Sequence, residues 1–275
     1  MPGNLVSATL RGGLFTRVVG NRLLFFQEIG STMDEAAREA EAGAEEGTVV
    51  LAESQTAGRG RMGRDWVSRG GNLYLSVVFR PSLRALPLLG ILAGVAVTRA
   101  IRKTTGLDPG IKWPNDVLVD GKKVAGILAE SVVTGNVVSH AVVGIGINVG
   151  LDTEAIEDIA GFSTALNAAA GRPILREDVL RQLLHDLDAL YLQVGRGGSP
   201  MAEWRASLGT LGQRVWAHWR GDSCVGLAED VDELGNLQLR LDDGRLITLS
   251  AGDVTLQGHA PSLAEEARTG EDGGQ

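Results

Sequence analysis

The chain has 275 residues, 44% hydrophobic and 22% charged, the make-up of a globular protein with room for one large and one smaller domain. A formal net charge of −8 with only 4% aromatic residues argues against a surface that neutralises and stacks single-stranded nucleic acid. A single cysteine, Cys224, excludes an intrachain disulfide and fits a reducing cytoplasm, and the start Met1-Pro2-Gly3-Asn4 lacks the charged and apolar regions of a secretory signal.

In chain order, Phe15 to Val19 reads as a short strand and Leu23 to Phe26 as a second. Ser31-Thr32-Met33-Asp34-Glu35 opens a helix, because Thr32 and Glu35 have capping-box spacing. Met33, Ala36, Ala37 and Ala40 share one face of that helix, and Gly43 ends it. Thr48 to Ala52 is an apolar, β-branched strand, followed by a polar Gly- and Arg-rich loop from Ser54 to Gly71. Leu73 to Phe79 is a strand and Pro87 to Thr105 a long buried helix. The apolar stretch Leu86 to Ile101 is broken by Gly90, Gly94 and Arg99, short of the ~20 apolar residues that span a bilayer.

Val117–Val119 and Val124–Leu128 flank Asp120-Gly121, a short hairpin signal. Val137 to Asn148 reads as a buried strand, and Glu177–Val194 and Pro200–Ser207 as helices. After Gly212 short alternating strands follow, Arg214–Trp219, Val225–Val231, Leu237–Leu241 and Leu246–Ser250. Their turns fall at Arg220-Gly221-Asp222, Leu234-Gly235-Asn236 and Asp242-Asp243-Gly244, the pattern of a small all-β barrel of about forty-five residues. The expected organisation is an α+β domain over 1–211, a β-barrel over 212–257 and a disordered tail over 258–275. His140, His185, His218 and His259 are scattered without zinc spacing.

Gly58-Arg59-Gly60-Arg61-Met62-Gly63-Arg64-Asp65-Trp66 matches G-x-G-x-x-G after a strand. The dinucleotide fingerprint also needs a helix opening at its last glycine, and here the chain runs on into another strand, so that reading is rejected. Two readings remain open on the residues alone. The loop is either an anion-binding segment, with turned N–H groups and forked guanidinium donors, or a basic loop that is simply solvated or touches nucleic-acid backbone. Ile111-Lys112-Trp113-Pro114-Asn115-Asp116 brings polar and aromatic side chains to a strand end. Asn115 is able to read an adenine edge and Asp116 to hold Mg²⁺ or orient an amine, against the alternative of a turn with Trp113 in the core. In Gly121-Lys122-Lys123-Val124-Ala125-Gly126 adjacent lysines point to opposite faces of a strand. A solvated Lys122 then turns Lys123 inward, where an anion is a sensible partner. Gly144 and Gly146 within Gly144-Ile145-Gly146-Ile147-Asn148 weaken a strand unless a bulge or the close approach of a ligand accounts for them.

Together these segments resemble the biotin–protein ligase family. The matching pieces are Ser31-Thr32, Gln55, Gly58-Arg59-Gly60-Arg61 with Gly63-Arg64 and Trp66, Lys112 to Asp116, Gly121 to Leu128, and Gly144 to Asn148, in the family's order and spacing. The likeness runs from about Phe25 to Leu256. It implies an α+β, mixed-sheet catalytic domain of the biotin/lipoate ligase type followed by a small SH3-like β-barrel. It implies biotin as substrate, with ATP and Mg²⁺, and a biotin carboxyl carrier protein or domain as acceptor. The reaction has two halves: biotin attacks the α-phosphate of MgATP to give biotinoyl-5′-AMP, and a carrier lysine then displaces AMP. No covalent enzyme intermediate is implied and no set of metal ligands is assigned, so catalysis rests on positioning and charge neutralisation.

By the same resemblance Ser31, Thr32 and Gln55 bind the ureido end of biotin. Arg59, Gly60 and Arg61 line the loop that closes over biotin and the adenylate phosphate. Lys123 contacts the reacting carboxylate and α-phosphate, and Gly126 and Gly146 to Asn148 form the pocket wall and phosphate surroundings. Trp66 and Asn115 contact adenine, and Arg64, Lys112 and Asn148 also serve ATP. Asp116 meets the metal or the incoming amine, and Lys123, Arg61 and Asp116 are the catalytic set. Met33 departs from the asparagine often found after Ser-Thr in the family. Only thirty residues precede Ser31, too few for a winged helix-turn-helix of roughly sixty, so a cytoplasmic, monomeric or weakly dimeric ligase that binds neither DNA nor membrane is expected. The rivals are a lipoate or octanoate ligase, which wants an apolar pocket where biotin's ring needs hydrogen bonds, and a nucleic-acid-binding module with steep salt dependence.

Overall fold

The computed structural model describes residues 13–219, 222–250 and 253–256. The expected disordered tail, with His259, and the turn residues Arg220 and Gly221 lie outside the described residues. The chain divides into two compact units, Met1–Ser207 and Leu208–Gln275.

The first unit is built on a seven-stranded mixed sheet. Its strands are β1 (Leu23–Ile29), β2 (Val49–Gln55), β3 (Leu73–Phe79), β4 (Gly110–Lys112), β5 (Asp116–Val119), β6 (Lys122–Thr134) and β7 (Val137–Ile147). They lie in the order β1-β2-β3-β7-β6-β5-β4. The β1/β2 pair is parallel and every other pair is antiparallel. All seven residues of β3 are buried, so this central strand is covered on both faces and reads as an unbroken apolar run apart from Ser76.

Helices α1 (Thr32–Glu41), α2 (Leu88–Thr105), α3 (Leu166–Ala170), α4 (Arg176–Gly195) and α5 (Met201–Ser207) complete the unit. Helix α1 packs on β2, β3 and β7, whereas α2 packs on β4 to β7 and on α4 and α5. Met33, Ala36 and Ala40 bury the inner face of α1 against Val50, Val78 and Val142. The 18 residues of α2 carry Arg99, Arg102 and Lys103 towards their C-terminal end, and no helix among the described residues is long and apolar enough to cross a membrane.

Two local expectations change and a third holds. Phe15 to Val19 is not a strand, because the Asp188 carboxylate on α4 takes the N–H groups of Arg17, Val18 and Val19 that a ladder would need. The cap of α1 is Ser31, whose Oγ accepts from Met33 N at 3.2 Å, so Thr32 is the first helical residue rather than the capping one. The hairpin turn at Asp120-Gly121 forms as expected, with both residues at positive φ (49° and 77°), the demand of a type I′ turn.

In the second unit β8 (Arg214–Trp219), β9 (Asp222–Val231), β10 (Leu237–Leu241), β11 (Leu246–Leu249) and β12 (Asp253–Leu256) form an antiparallel sheet in the order β11-β10-β9-β8-β12. Its core is Val215, Ala217, Ala228, Val231, Leu237, Leu239, Leu249 and Val254, the inward half of the alternation. Strand β12, which follows Ser250-Ala251-Gly252, was not expected from the sequence.

Candidate active site

Gly126 on β6 and Gly146 on β7 stand directly opposite each other in the ladder, and the indole of Trp66 lies on both. A methyl group on Gly146 would sit 2.5 Å from Trp66 Nε1, and one on Gly126 would sit 2.8 Å from its Cζ3. Two residues along β7, a methyl group on Gly144 would sit 2.5 Å from Met33 Sδ. The in-strand glycines are therefore explained by side chains descending on the sheet, rather than by a ligand alone. Met33 points into the core. Trp66 Nε1 is buried without a hydrogen-bond partner among the described residues, an arrangement that costs about 1–3 kcal/mol unless a ligand supplies an acceptor.

Against this floor stands the charged cluster. The β5/β6 register slips between Val117 and Leu118, and such a bulge re-aims neighbouring side chains. Lys123 Nζ comes to 2.7 Å from Asp116 Oδ1 and 5.1 Å from the centre of the Trp66 ring, while Lys122 pairs outward with Glu154 at 3.0 Å. Arg61 donates to Asn115 Oδ1 at 3.3 Å. Burial lowers the Arg61 guanidinium from its ordinary value, Asp116 opposes that shift and Arg64 adds to it, yet an arginine remains a cation at neutral pH. Residues 61, 115, 116 and 123 thus converge from the loop, the β4–β5 turn, β5 and β6.

A second, uncharged cluster sits at the N-terminus of α1. Gln55 Oε1 accepts from the N–H and Oγ1 of Thr32 at 2.7 and 3.0 Å, and Ser76 Oγ donates to Thr32 Oγ1 at 2.9 Å. Gln55 Nε2 donates to Ser68 Oγ at 2.8 Å, and Ser68 Oγ donates to Trp66 O at 2.9 Å. Gly58 closes this corner, because a methyl group there would lie 2.5 Å from Ser68 Oγ. Ser68 and Ser76 did not emerge from the sequence. Each acts through partners 13 and 44 residues away, which local spacing does not reveal.

The remaining expected residues have these places. Ser31 is buried as the α1 cap. Arg59 pairs with Asp34 and lies 3.7 Å from Glu130, and its backbone bridges to Asp65 across Gly60 and the short 3₁₀ turn Arg61–Gly63. Arg64 is exposed on that turn. Lys112 is half-buried, opposite Asp116 in the ladder. The Asn115 amide donates to Ile127 O at 2.5 Å and the Asn148 amide to Thr164 O at 3.2 Å, so both hold backbone. Trp113 is 2% exposed and belongs to the core, the alternative weighed for that segment. Among the described residues no group of three or more His, Cys, Asp or Glu side chains gathers as a metal site.

Residues 25–148 match the biotin/lipoate A/B protein ligase family, and residues 210–256 match the biotin protein ligase C-terminal domain. The chain is 36% identical over 249 residues to the bifunctional ligase/repressor BirA of Bacillus subtilis, across 88% of this chain and 77% of that protein. It is 37% identical over 238 residues to the biotin–[acetyl-CoA-carboxylase] ligase of Mycobacterium tuberculosis, across 82% of this chain and 86% of that one. The Aquifex aeolicus biotin protein ligase solved in complex with biotin and ATP is 29% identical, with a TM-score of 0.73 over 86% of this chain and 99% of the other. With both matched regions present and the two halves of the site assembled on one sheet face, the chain belongs to the biotin protein ligase family.

Proposed function

We propose that the protein activates biotin with MgATP to biotinoyl-5′-AMP and pyrophosphate, then passes the biotinoyl group to a lysine of a biotin carboxyl carrier protein or domain. The observation that carries this reading is the meeting of Lys123, Arg61 and Asp116 beside the Trp66-covered glycine floor, next to a buried polar corner. In the first step a carboxylate oxygen of biotin bonds to the α-phosphorus as the bond to pyrophosphate breaks. Lys123 and Arg61 balance the negative charge that two approaching anions bring together, an effect that is large in a water-poor site. In the second step the carrier amine attacks the acyl carbon, the bond to the phosphate oxygen breaks and AMP leaves. Asp116 then orients the incoming amine and receives its proton, which requires Lys123 to exchange its carboxylate partner for the substrate phosphate.

The donor set fits Mg²⁺ arriving with the ATP phosphates, since Asp116 is the one carboxylate of the charged cluster and is already shared with Lys123. A hard divalent ion held by few protein oxygens keeps its water and phosphate ligands. Bound in this way it neutralises phosphate charge. The Thr32–Gln55–Ser68–Ser76 group, buried except for the half-buried Gln55, favours biotin over lipoate or octanoate, because Gln55 Nε2 keeps a second N–H for a ring carbonyl. A pocket built to hydrogen-bond its substrate rejects an analogue that cannot answer.

Within this proposal the enzyme works in the cytoplasm as a monomer or weak homodimer, without DNA or membrane. Pyrophosphate exchange into ATP with Mg²⁺, comparing biotin, lipoate and octanoate, followed by transfer to a carrier domain, tests it. Biotin-dependent exchange is expected. Exchange driven equally well by octanoate would overturn the substrate assignment.

A further inference from the structure

The β2/β3 ladder stops at the Ala52–Tyr74 pair, and the arginine–glycine loop connects the two strands beyond it. At that point a buried polar group takes over from the ladder. Glu53 and Arg176 have side chains only 10% exposed, and Asn72 is fully buried. Glu53 Oε1 accepts from Gly71 N at 2.8 Å, and Arg176 Nη1 lies 3.0 Å from each Glu53 oxygen and 3.0 Å from Asn72 O. Asn72 Oδ1 accepts the N–H groups of Val149, Gly150 and Leu151 at 2.8, 3.1 and 3.1 Å, and its Nδ2 donates to Arg69 O at 2.9 Å.

We infer that Glu53, Asn72 and Arg176 are positioning residues that brace the foot of the loop and so set Arg61 against Lys123. This rests on the proposed role of the loop as the cover of an acyl-adenylate. A continuous run of bonds joins the two sides. The turn held by Asn72 begins one residue after Asn148, whose N–H donates to Val124 O and whose side chain holds Thr164 O; Thr164 N in turn donates to Lys123 O at 2.8 Å. Stability alone is a poor reason for the Glu53–Arg176 pair, since a buried ion pair is seldom better than an apolar pair of the same volume. Its geometry explains it: the Glu53 carboxylate on β2 holds Gly71 N at the loop's exit, and the Arg176 guanidinium at the start of α4 holds Asn72 O just before β3. A site that closes over a reactive intermediate needs such a fixed base, because a displacement of about 1 Å costs on the order of a hundredfold in rate.

The test compares wild type with Glu53→Gln, Arg176→Gln, Arg176→Lys and the charge-free double variant Glu53→Met/Arg176→Met, each assayed well below its own melting temperature. The double variant keeps the comparison open if a single variant, left with an unpaired buried charge, fails to fold. Three quantities are read: tryptic cleavage within residues 59–69, the biotin KM, and the escape of free biotinoyl-5′-AMP when no carrier is present. We expect folded variants to be cut in the loop about tenfold faster and to lose adenylate about tenfold faster, with Arg176→Lys recovering part of both. Wild-type cleavage, KM and escape in the folded double variant would overturn the brace. If wild type itself shows no biotin-dependent exchange, the activity reading falls, and the cleavage rates still decide whether the brace exists.

Discussion

Lys123 is the residue on which the chemistry turns. Its ammonium is partly buried and has a carboxylate at 2.7 Å on one side and an indole face at 5.1 Å on the other. Both partners attract an ammonium group, so Lys123 is held in place before any substrate arrives. Such a charge acts most where negative charge concentrates, in the transition state, and less on biotin alone. Lys123→Ala is expected to slow adenylate formation roughly 10²–10³-fold while changing biotin affinity much less, measured by pyrophosphate exchange beside equilibrium binding. Adenylation at the wild-type rate would remove Lys123 from the chemistry. Arg61 has a different task. It reaches across to Asn115 from the loop, so Arg61→Gly unties the loop from the β4–β5 turn. Free acyl-adenylate should then accumulate without carrier, detectable by its reaction with a small amine such as hydroxylamine; accumulation no greater than wild type would contradict this placement.

At the scale of the elements, the glycines of β7 separate function from stability. Gly146→Ala drives a methyl group into Trp66 at 2.5 Å, and a rigid indole lying across β6 and β7 has to leave the floor of the site. The biotin KM should rise several-fold to about a hundredfold with a modest change in melting temperature. Gly144→Ala meets Met33 Sδ at the same distance, but methionine is flexible and lies in the core. There the cost is overpacking of about 1–3 kcal/mol, read by denaturant titration, with KM preserved. Equal effects of the two substitutions on KM would show that Trp66 does not mark the substrate floor. Ser31→Ala removes the cap of α1 and should cost about 1 kcal/mol.

The same scale shows what the sequence made legible. Strand β3, helix α2 and the Asp120-Gly121 hairpin were readable because period, length and turn chemistry are local properties. So was the inward turn of Lys123, since two adjacent lysines cannot share a strand face. The cap was misplaced by one residue because Ser31 and Thr32 are both able to serve. The Phe15–Val19 segment misled because its N–H groups are claimed by Asp188, some 170 residues away. Ser68, Ser76 and the Glu53–Arg176 pair were invisible for the same reason: their meaning lies in partners that only the fold brings near.

For the whole molecule, the expected substrate-contacting residues, from Ser31 to Asn148, all fall in the first of the two units, Met1–Ser207. Binding that is confined to the folded form of one unit raises that unit's stability by RT ln(1 + [L]/Kd), about 2.7 kcal/mol at a hundredfold excess over Kd. For a unit of this size each kcal/mol moves the midpoint by about 2–4 °C, a rise of roughly 5–10 °C in all. Biotin alone engages the polar corner, whereas the acyl-adenylate also engages Lys123 and Arg61, so a non-hydrolysable adenylate analogue should shift the transition further than biotin at matched concentration. Scanning calorimetry with biotin and with the analogue measures this difference. An analogue that shifts the midpoint no further than biotin would detach the Lys123 cluster from substrate binding.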